Sequence, residues 1–167
     1  MSVTRDALRQ GLEPWLPAAV PRLDPPPGPS PATPTAAPVS AAAPPPQLLD
    51  VTVAPGHLVP VAEYLAAQSF AIDTVTGVDW LAAGQMEIVY DFFHFASPLH
   101  VVVRVRVPRE QPEAPTISGV FPGANWHERE THDFFGIRFT GHPDLSPLLL
   151  PEDATYHPLR KDFAGAA

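Results

Sequence analysis

Proline places the strongest constraint on this sequence, because most of its 24 prolines lie before Val61. Residues 21–46 are almost entirely Pro, Ala, Ser and Thr. Each proline removes a backbone donor and fixes φ, so this stretch cannot form a helix or a β ladder. We therefore predict an extended linker over 21–46, between an N-terminal segment (1–20) and a folded domain (47–167). A second interpretation of the stretch is a ligand for a signalling domain.

The charge balance and the lack of cysteine exclude several classes of function. With 10 Lys+Arg against 18 Asp+Glu, the net charge is -8, so the chain lacks the clustered cations that nucleic acid and anionic lipid require. Without cysteine it cannot form disulfides, thiolate nucleophiles or cysteine-ligated metal clusters. No apolar run approaches the roughly 20 residues of a membrane helix, and we expect no signal peptide. The sequence predicts a soluble chain, or one held at a membrane indirectly through partners.

The first elements are predicted from apolar spacing. Residues 2–16 have the pattern of a short amphipathic helix, which Thr4 can cap and which packs on the domain or on a neighbour. Residues 48–53 alternate as a strand, and 55–68 read as a helix whose regular part begins at Pro60. For residues 70–79 we expect a short extended piece with a turn at Thr76–Gly77.

The clearest pattern is a pair of period-two runs over 86–93 and 99–107. Two such runs separated by a short break predict an antiparallel hairpin with one buried face. Arg104 and Arg106 lie on its other face, within reach of Glu87 or Asp91. The fold class is therefore α+β, a small antiparallel or mixed sheet with a long hairpin, packed by two or three helices.

A second helix signal follows a predicted loop over 108–115. Asn125 can cap the helix and Glu128, three positions on, can reach back in a capping box. Gly136 is placed to end the helix in a left-handed conformation. Beyond it, the chain is rich in Gly, Pro and His and predicts an extended tail without regular structure.

The histidines and carboxylates of this helix do not form a recognisable catalytic motif. His127 and His132 are five residues apart, which places them roughly 140° apart on a helix and breaks a zinc chelate. The i,i+4 pairs Arg129–Asp133 and Glu128–His132 predict ordinary helix-surface interactions. No nucleophile context or phosphate-binding glycine loop is present. On motifs alone the chain is a binding module.

Residues 125–139, 141–144, 149–153 and 157–163 resemble the family of the C subunit of respiratory complex I, the 30-kDa subunit in mitochondria. The family signature is Glu-Arg-Glu, two residues, an acid, two apolar residues, six more and then His. The segment from Glu128 to His142 matches this signature throughout, and the resemblance covers roughly 48–163.

The resemblance implies a peripheral-arm subunit of proton-translocating NADH:quinone oxidoreductase, with no active site and no cofactor of its own. FMN, Fe-S clusters and quinone would lie in partner subunits, and this chain would pack against the D, B and I subunits. It implies a peripheral position on the cytoplasmic side of the cell membrane.

Charged residues interleaved with aromatics also suit a protein contact better than a solvated face. Catalytic, cofactor-binding and metal-binding residues are not expected in this chain. The residues expected at the interface with other subunits are Trp126, Glu128, Arg129, Glu130, Asp133, Phe134, His142, Asp144, Arg160 and Lys161.

Two other interpretations remain open. One is the equivalent subunit of a complex I-related membrane-bound [NiFe] hydrogenase, because Ser146 and Pro147 stand where the complex I family usually shows basic residues. The other is a free-standing adaptor that recruits a partner domain through the proline-rich stretch.

Overall fold

The computed structural model describes residues 3–18 and 47–165, so the predicted linker over 21–46 lies outside the described residues. Its helices and strands are α1 Arg5–Leu12, β1 Gln47–Val53, α2 Leu58–Ala67, β2 Phe70–Trp80, β3 Gln85–His94, β4 Leu99–Pro108, β5 Glu113–Pro115, α3 Ala124–Phe135 and β6 Arg138–Thr140. The combination of these helices with a mixed sheet confirms the α+β class.

The main sheet has the strand order β1-β4-β3-β2. The predicted hairpin is confirmed, because β3 and β4 are antiparallel neighbours, with Glu87 opposite Arg106. β1 adds to β4 in parallel and β2 adds to β3 in antiparallel direction. One face of the hairpin is fully buried, as alternation of apolar and polar residues requires.

The other face of the hairpin carries an ion-pair network, as predicted. Arg104 donates to Glu87 at 3.3 Å and Arg106 donates to it at 2.9 Å. Arg104 also forms a two-nitrogen fork on Asp50 of β1, at 2.9 and 3.0 Å. These charge-assisted bonds connect three neighbouring strands across this face of the sheet.

The predicted turn at Thr76–Gly77 is wrong. β2 runs without interruption through both residues and shows only a register irregularity between Ile72 and Thr74. Gly77 has a packing role instead: a Cβ built there would lie 2.5 Å from Cδ2 of Phe135. Glycine in this strand therefore marks the close approach of α3 rather than a reversal of the chain.

Proline affects where α1 ends and where α2 begins. Thr4 caps α1 by accepting from the Ala7 amide at 3.4 Å, but α1 ends at Leu12, ahead of the predicted end at residue 16. Pro14 cannot donate to a preceding carbonyl, so the chain continues as a 3₁₀ turn. α2 begins at Leu58, two residues before the expected start. Pro60 is tolerated there because backbone N–H groups in the first turn of a helix have no carbonyl partner within the helix.

α1 packs on α2 within this chain. Leu8 and Leu12 are buried in the core. The ring of Trp15 lies 5.7 Å from that of Tyr64, and a Cβ at Gly11 would collide with the Tyr64 hydroxyl. The helix is too short to be stable alone and takes its stability from this contact.

A second, two-stranded sheet lies where no strand is predicted. β5 and β6 pair in parallel, with Ala114 opposite Phe139. β5 falls in the expected loop over 108–115, and β6 falls just after Gly136 in the stretch expected to lack regular structure. Each strand has only three residues, which is too few for an alternating pattern to be recognised. Residues 141–165 contain turns and bends and no helix or strand.

Candidate functional site

Glu128, the first acidic residue of α3, points into the protein interior. Glu128 is fully buried, and its Oε1 accepts from the Ile117 amide at 2.9 Å while Oε2 accepts from the Thr116 hydroxyl. The predicted capping box is therefore wrong: α3 begins at Ala124 with Gly123 as its N-cap. The carboxyl group of Glu128 instead fixes the segment that leads into α3.

The burial of Glu128 changes its acidity. Burial raises its pKa from 4.5 to about 7, because the donors Thr116 and Ile117 offset only part of the lost hydration. The His142 side chain is also fully buried, with Nε2 3.8 Å from Oε2 of Glu128. Two titratable side chains thus face each other beneath α3.

Asp133 anchors the tail that follows the small sheet. Its Oδ2 accepts from the amides of Leu148, Leu149 and Leu150 at 2.9, 2.8 and 3.2 Å. Burial alone would raise the pKa of Asp133, but the amides of Leu149, Leu148 and Leu150 hold it below its usual value. One carboxylate oxygen therefore orders three consecutive residues of otherwise irregular backbone.

Arg129 bonds to the same tail rather than to Asp133. Its guanidinium donates to the Ser146 carbonyl at 3.1 and 3.0 Å and to the Pro147 carbonyl at 3.1 Å. It also lies over the Trp126 ring, 5.6 Å from the ring centre.

The predicted i,i+4 surface pairs are wrong, because the tail supplies better partners than the helix surface does. Arg129 bonds to tail carbonyls, and His132, expected to pair with Glu128, instead lies with Nδ1 2.9 Å from the Ile137 carbonyl oxygen.

The carboxyl end of α3 is closed by a later part of the tail. His157 Nδ1 donates to the Asp133 carbonyl at 2.8 Å, the Leu159 amide to the Phe134 carbonyl at 3.2 Å, and Arg160 to the Phe135 carbonyl at 2.7 Å. These carbonyls have no partner inside the helix, and a cation near them is favoured by the helix dipole.

Gly136 makes this closure possible, as the position that ends α3. Its φ is +71°, the left-handed conformation predicted from the sequence. A Cβ there would lie 2.4 Å from Nε2 of His157 and 2.7 Å from Arg160. The absence of a side chain allows both the turn and the docking of the tail.

A buried ion pair that the sequence does not indicate holds the tail on the sheet. Arg109 forms a fork on Asp79 at 2.8 and 2.9 Å and also donates to Asp162 at 2.6 Å. The Lys161 amide donates to Asp79 at 2.8 Å. Burial opposes ionisation of Asp79, but Arg109 and the Lys161 amide hold its pKa below the usual value.

These partners are 30 to 82 residues apart in the chain, so local patterns carry no signal for them.

The structure divides the ten predicted interface residues by exposure. Three of them have buried side chains: Glu128, Asp133 and His142. Three are partly buried: Arg129, Phe134 and Arg160. The other four are exposed: Trp126, Glu130, Asp144 and Lys161. Trp126 is 62% exposed, and two tail residues add apolar surface, Leu149 at 59% and Leu159 at 50%. The polar groups that α3 turns inward hold the tail, while Trp126, Leu149 and Leu159 remain exposed.

A family model described as "Respiratory-chain NADH dehydrogenase, 30 Kd subunit" matches residues 51–167. The chain is 42% identical over 119 residues to the C subunit of NADH-quinone oxidoreductase from Roseiflexus sp. (strain RS-1), covering 68% of each chain. It is 40% identical over 108 residues to the C subunit of F(420)H(2) dehydrogenase from Methanosarcina mazei, covering 63% of this chain and 68% of that one.

Among solved structures, a chain of the membrane-bound sulfane sulfur reductase, an archaeal respiratory membrane complex, has a similar fold. The TM-score is 0.70 at 24% identity, over 95% of this chain and 84% of that one. At 24% identity this likeness concerns the fold alone.

Proposed function

Because the chain belongs to the family of the 30 Kd subunit of respiratory-chain NADH dehydrogenase, we propose that it is a non-catalytic peripheral-arm subunit of a proton-translocating NADH:quinone oxidoreductase. It supports electron transfer from NADH through FMN and Fe-S clusters to quinone, all held by partner subunits. The 42% identity to the C subunit of an NADH-quinone oxidoreductase supports this assignment.

The geometry of α3 supports a role in binding neighbours. Trp126 is 62% exposed on a helix whose own carboxylates Glu128 and Asp133 are buried, and this is the observation that carries the proposal. A large aromatic held outside by an ordered framework suits the centre of a protein contact, where aromatics and Arg are enriched. Hydrogen bonds inside the chain fix the framework, so little conformational entropy is lost on binding.

The ten interface residues then divide into three roles. Trp126, Glu130, Asp144 and Lys161 contact the D, B and I subunits directly. Arg129, Phe134 and Arg160 line the contact while also bonding within the chain. Glu128, Asp133 and His142 act indirectly, since their buried side chains hold the segments that carry the contact.

The position at the membrane follows from the partners. Within the described ranges, no helix is both long and apolar enough to cross a bilayer. We propose that the chain is held peripherally at the cytoplasmic side of the cell membrane by the other subunits.

The test is affinity purification of the tagged full-length chain from native membranes, with partner masses and NADH:quinone reductase activity measured together. We expect flavin and iron–sulfur subunits in the purified assembly. The Trp126→Ala variant should recover at least several-fold less assembly while its unfolding midpoint stays unchanged. Phe95→Ala is the matched control, because Phe95 is 78% exposed at the tip of the β3–β4 hairpin.

Three outcomes contradict the proposal. Purification of a lone monomer would favour a free-standing adaptor. Hydrogen evolution with a nickel-bearing partner would favour the hydrogenase-type assembly. Equal recovery with Trp126→Ala and Phe95→Ala would remove α3 from the interface.

An alternative is that the assembly takes its electrons from reduced F420 instead of NADH. The C subunit of an F(420)H(2) dehydrogenase is 40% identical to this chain, close to the 42% of the NADH-quinone oxidoreductase relative. The purified assembly should therefore be assayed with reduced F420 as well as NADH. Reduction of quinone by reduced F420 alone would assign the chain to the F420-dependent form.

A further inference from the structure

The carboxyl group of Glu128 lies in a closed cluster under α3. Its Oε1 accepts from the Ile117 amide at 2.9 Å, and its Oε2 is hydrogen-bonded to the Thr116 hydroxyl, which can donate or accept. On its other side stands His142, with Nε2 3.8 Å from Glu128 Oε2, and both side chains have no exposed surface. A carboxylate in such a site loses its hydration and keeps its charge only if the surrounding groups compensate.

The hydrogen bonds of His142 indicate which tautomer of its neutral ring fits this site. The Asp144 amide lies 3.1 Å from Nδ1 of His142 and can only donate to it, so Nδ1 carries no proton. The proton of the neutral ring therefore sits on Nε2, which faces the Asn125 carbonyl at 3.3 Å and Glu128. Protonation of Nδ1 would place two N–H groups against each other and break the bond from Asp144.

The other groups around Glu128 are neutral or directed elsewhere. Tyr90 of β3 is fully buried, and its hydroxyl has no hydrogen-bond partner within residues 3–18 and 47–165. Burial first, and then the charge of Glu128, raise the pKa of Tyr90. Ser118 bonds to Thr116 at 2.8 Å, behind the carboxylate. On α3 itself, Arg129 turns its guanidinium to the tail carbonyls.

We propose that the buried carboxyl group of Glu128 takes up and releases a proton, and that loss of this proton loosens the two segments packed on it, residues 116–118 and 141–144. The chain relieves the cost of a buried carboxylate by admitting water between α3 and these segments. Because 141–144 leads directly into the tail bonded to Arg129 and Asp133, the same proton regulates how firmly the tail is seated. This proton equilibrium is a property of the folded chain alone and does not require α3 to bind a partner.

The direction of the pH effect follows from the acidity of Glu128. Its pKa rises from 4.5 to about 7 on folding, so the native state binds the proton more tightly than the unfolded chain. The stabilisation is fully present below pH 4.5 and is lost as the pH rises through about 7. The shift corresponds to a change on the order of 10²-fold in the folding equilibrium constant.

The direct test is NMR titration of the full chain with ¹³C-labelled glutamate carboxyls. Glu128 is assigned through its contact with the Ile117 amide. We expect its carboxyl carbon to titrate within about one pH unit of 7, and the Ile117 and Asp144 amides to shift with the same midpoint. A Glu128 midpoint below pH 5, like that of a solvated carboxyl, would overturn the proposal, as would Ile117 and Asp144 amides that stay constant between pH 6 and 8.

A pair of variants gives an independent readout by chemical denaturation at pH 6 and pH 8. Glu128→Gln keeps the size of the side chain and one hydrogen-bond acceptor but cannot titrate. The folding equilibrium constant of the wild type should fall from pH 6 to pH 8, and that of Glu128→Gln should not. Glu130→Gln, an exposed change two residues away on α3, should retain that fall. The same pH dependence in both variants would assign it to other groups. If Glu128→Gln does not fold, the wild-type titration alone decides.

Discussion

The backbone amide of Lys161 donates to Oδ2 of Asp79 at 2.8 Å, across 82 residues of the chain. This bond joins the end of β2 to the tail that closes α3. Arg109, which lies just beyond β4, forms ion pairs with both Asp79 and Asp162 at the same place. Three distant parts of the sequence are therefore fixed at one place, and the seating of the tail depends on the edge of the sheet.

Replacement of Arg109 tests how much these ion pairs contribute to stability. Arg109→Lys keeps the charge but not the planar fork on Asp79, whose side chain has no exposed surface. We expect a loss of about 1.5–3 kcal/mol in the free energy of unfolding, measured with urea on the full chain. Arg138→Lys is the control, because the Arg138–Glu113 pair is about half exposed and should cost less than about 1 kcal/mol. Equal losses in the two variants would show that the buried fork has no special importance.

Replacement of Gly136 separates backbone strain from steric exclusion. Gly136→Ala introduces both a left-handed alanine and a Cβ 2.4 Å from His157. Gly84→Ala introduces the left-handed alanine alone, since φ is +63° and nothing lies within 4 Å. We expect Gly84→Ala to cost about 1–2 kcal/mol and Gly136→Ala to cost more.

Only Gly136→Ala should release the tail. Limited trypsin digestion read by mass spectrometry should then show faster cleavage after Arg160 and Lys161. Unchanged cleavage at both sites would show that the tail does not depend on this glycine.

The charge of Asp133 should contribute stability that depends on pH. Its pKa is lower in the native chain than in the unfolded one, so the contribution is present above the unfolded value of 3.8 and is lost as the pH falls through the lower native value. Asp133→Asn should therefore destabilise the chain by about 1–3 kcal/mol at pH 7, and the difference from wild type should shrink below about pH 4.

Urea unfolding at pH 7 and pH 3 measures this change. Asp153→Asn, in an exposed part of the tail, is the control and should have little effect at either pH. A deficit in Asp133→Asn that does not vary with pH would point to altered packing rather than to the lost charge.

Gly77 should tolerate no larger side chain while Phe135 keeps its place. Gly77→Ala puts a Cβ 2.5 Å from the Phe135 ring, and overpacking of this kind costs about 1–3 kcal/mol. Gly119→Ala meets nothing within 4 Å and should be nearly neutral. If the contact is the cause, Phe135→Leu in the Gly77→Ala background should cost less than Phe135→Leu alone. Additive losses in the unfolding free energy would place the strain elsewhere.

The hairpin and the end of α3 could be predicted from the sequence because each has a local signal. β3 and β4 alternate over ten residues, long enough for one buried face to be recognised. Gly136 follows the last helical residue, where a left-handed cap is common. β5 and β6 have three residues each and depend on pairing across 25 positions, so no local pattern reveals them.

The burial of Glu128 could have been predicted only from its helical spacing with buried positions of α3, against the usual exposure of charged residues. Ala124, Glu128, Thr131 and Phe135 recur at helical intervals and are all buried, so Glu128 stands on the core stripe of α3. Charged residues are usually exposed, which favoured the surface interpretation. Their actual partners lie 11 to 17 residues away, in irregular backbone that carries no periodicity.

The order of the chain makes the closure of α3 a late event in its synthesis. His157 and Arg160 lie 24 and 25 residues beyond the carbonyls that they cover. As the polypeptide leaves the ribosome, α3 emerges with these carbonyls open, and the strands of the main sheet are already available for the tail to dock on. A nascent chain stopped shortly after Gly136 would carry every strand and helix described here except β6, but would lack the residues that complete the helix end.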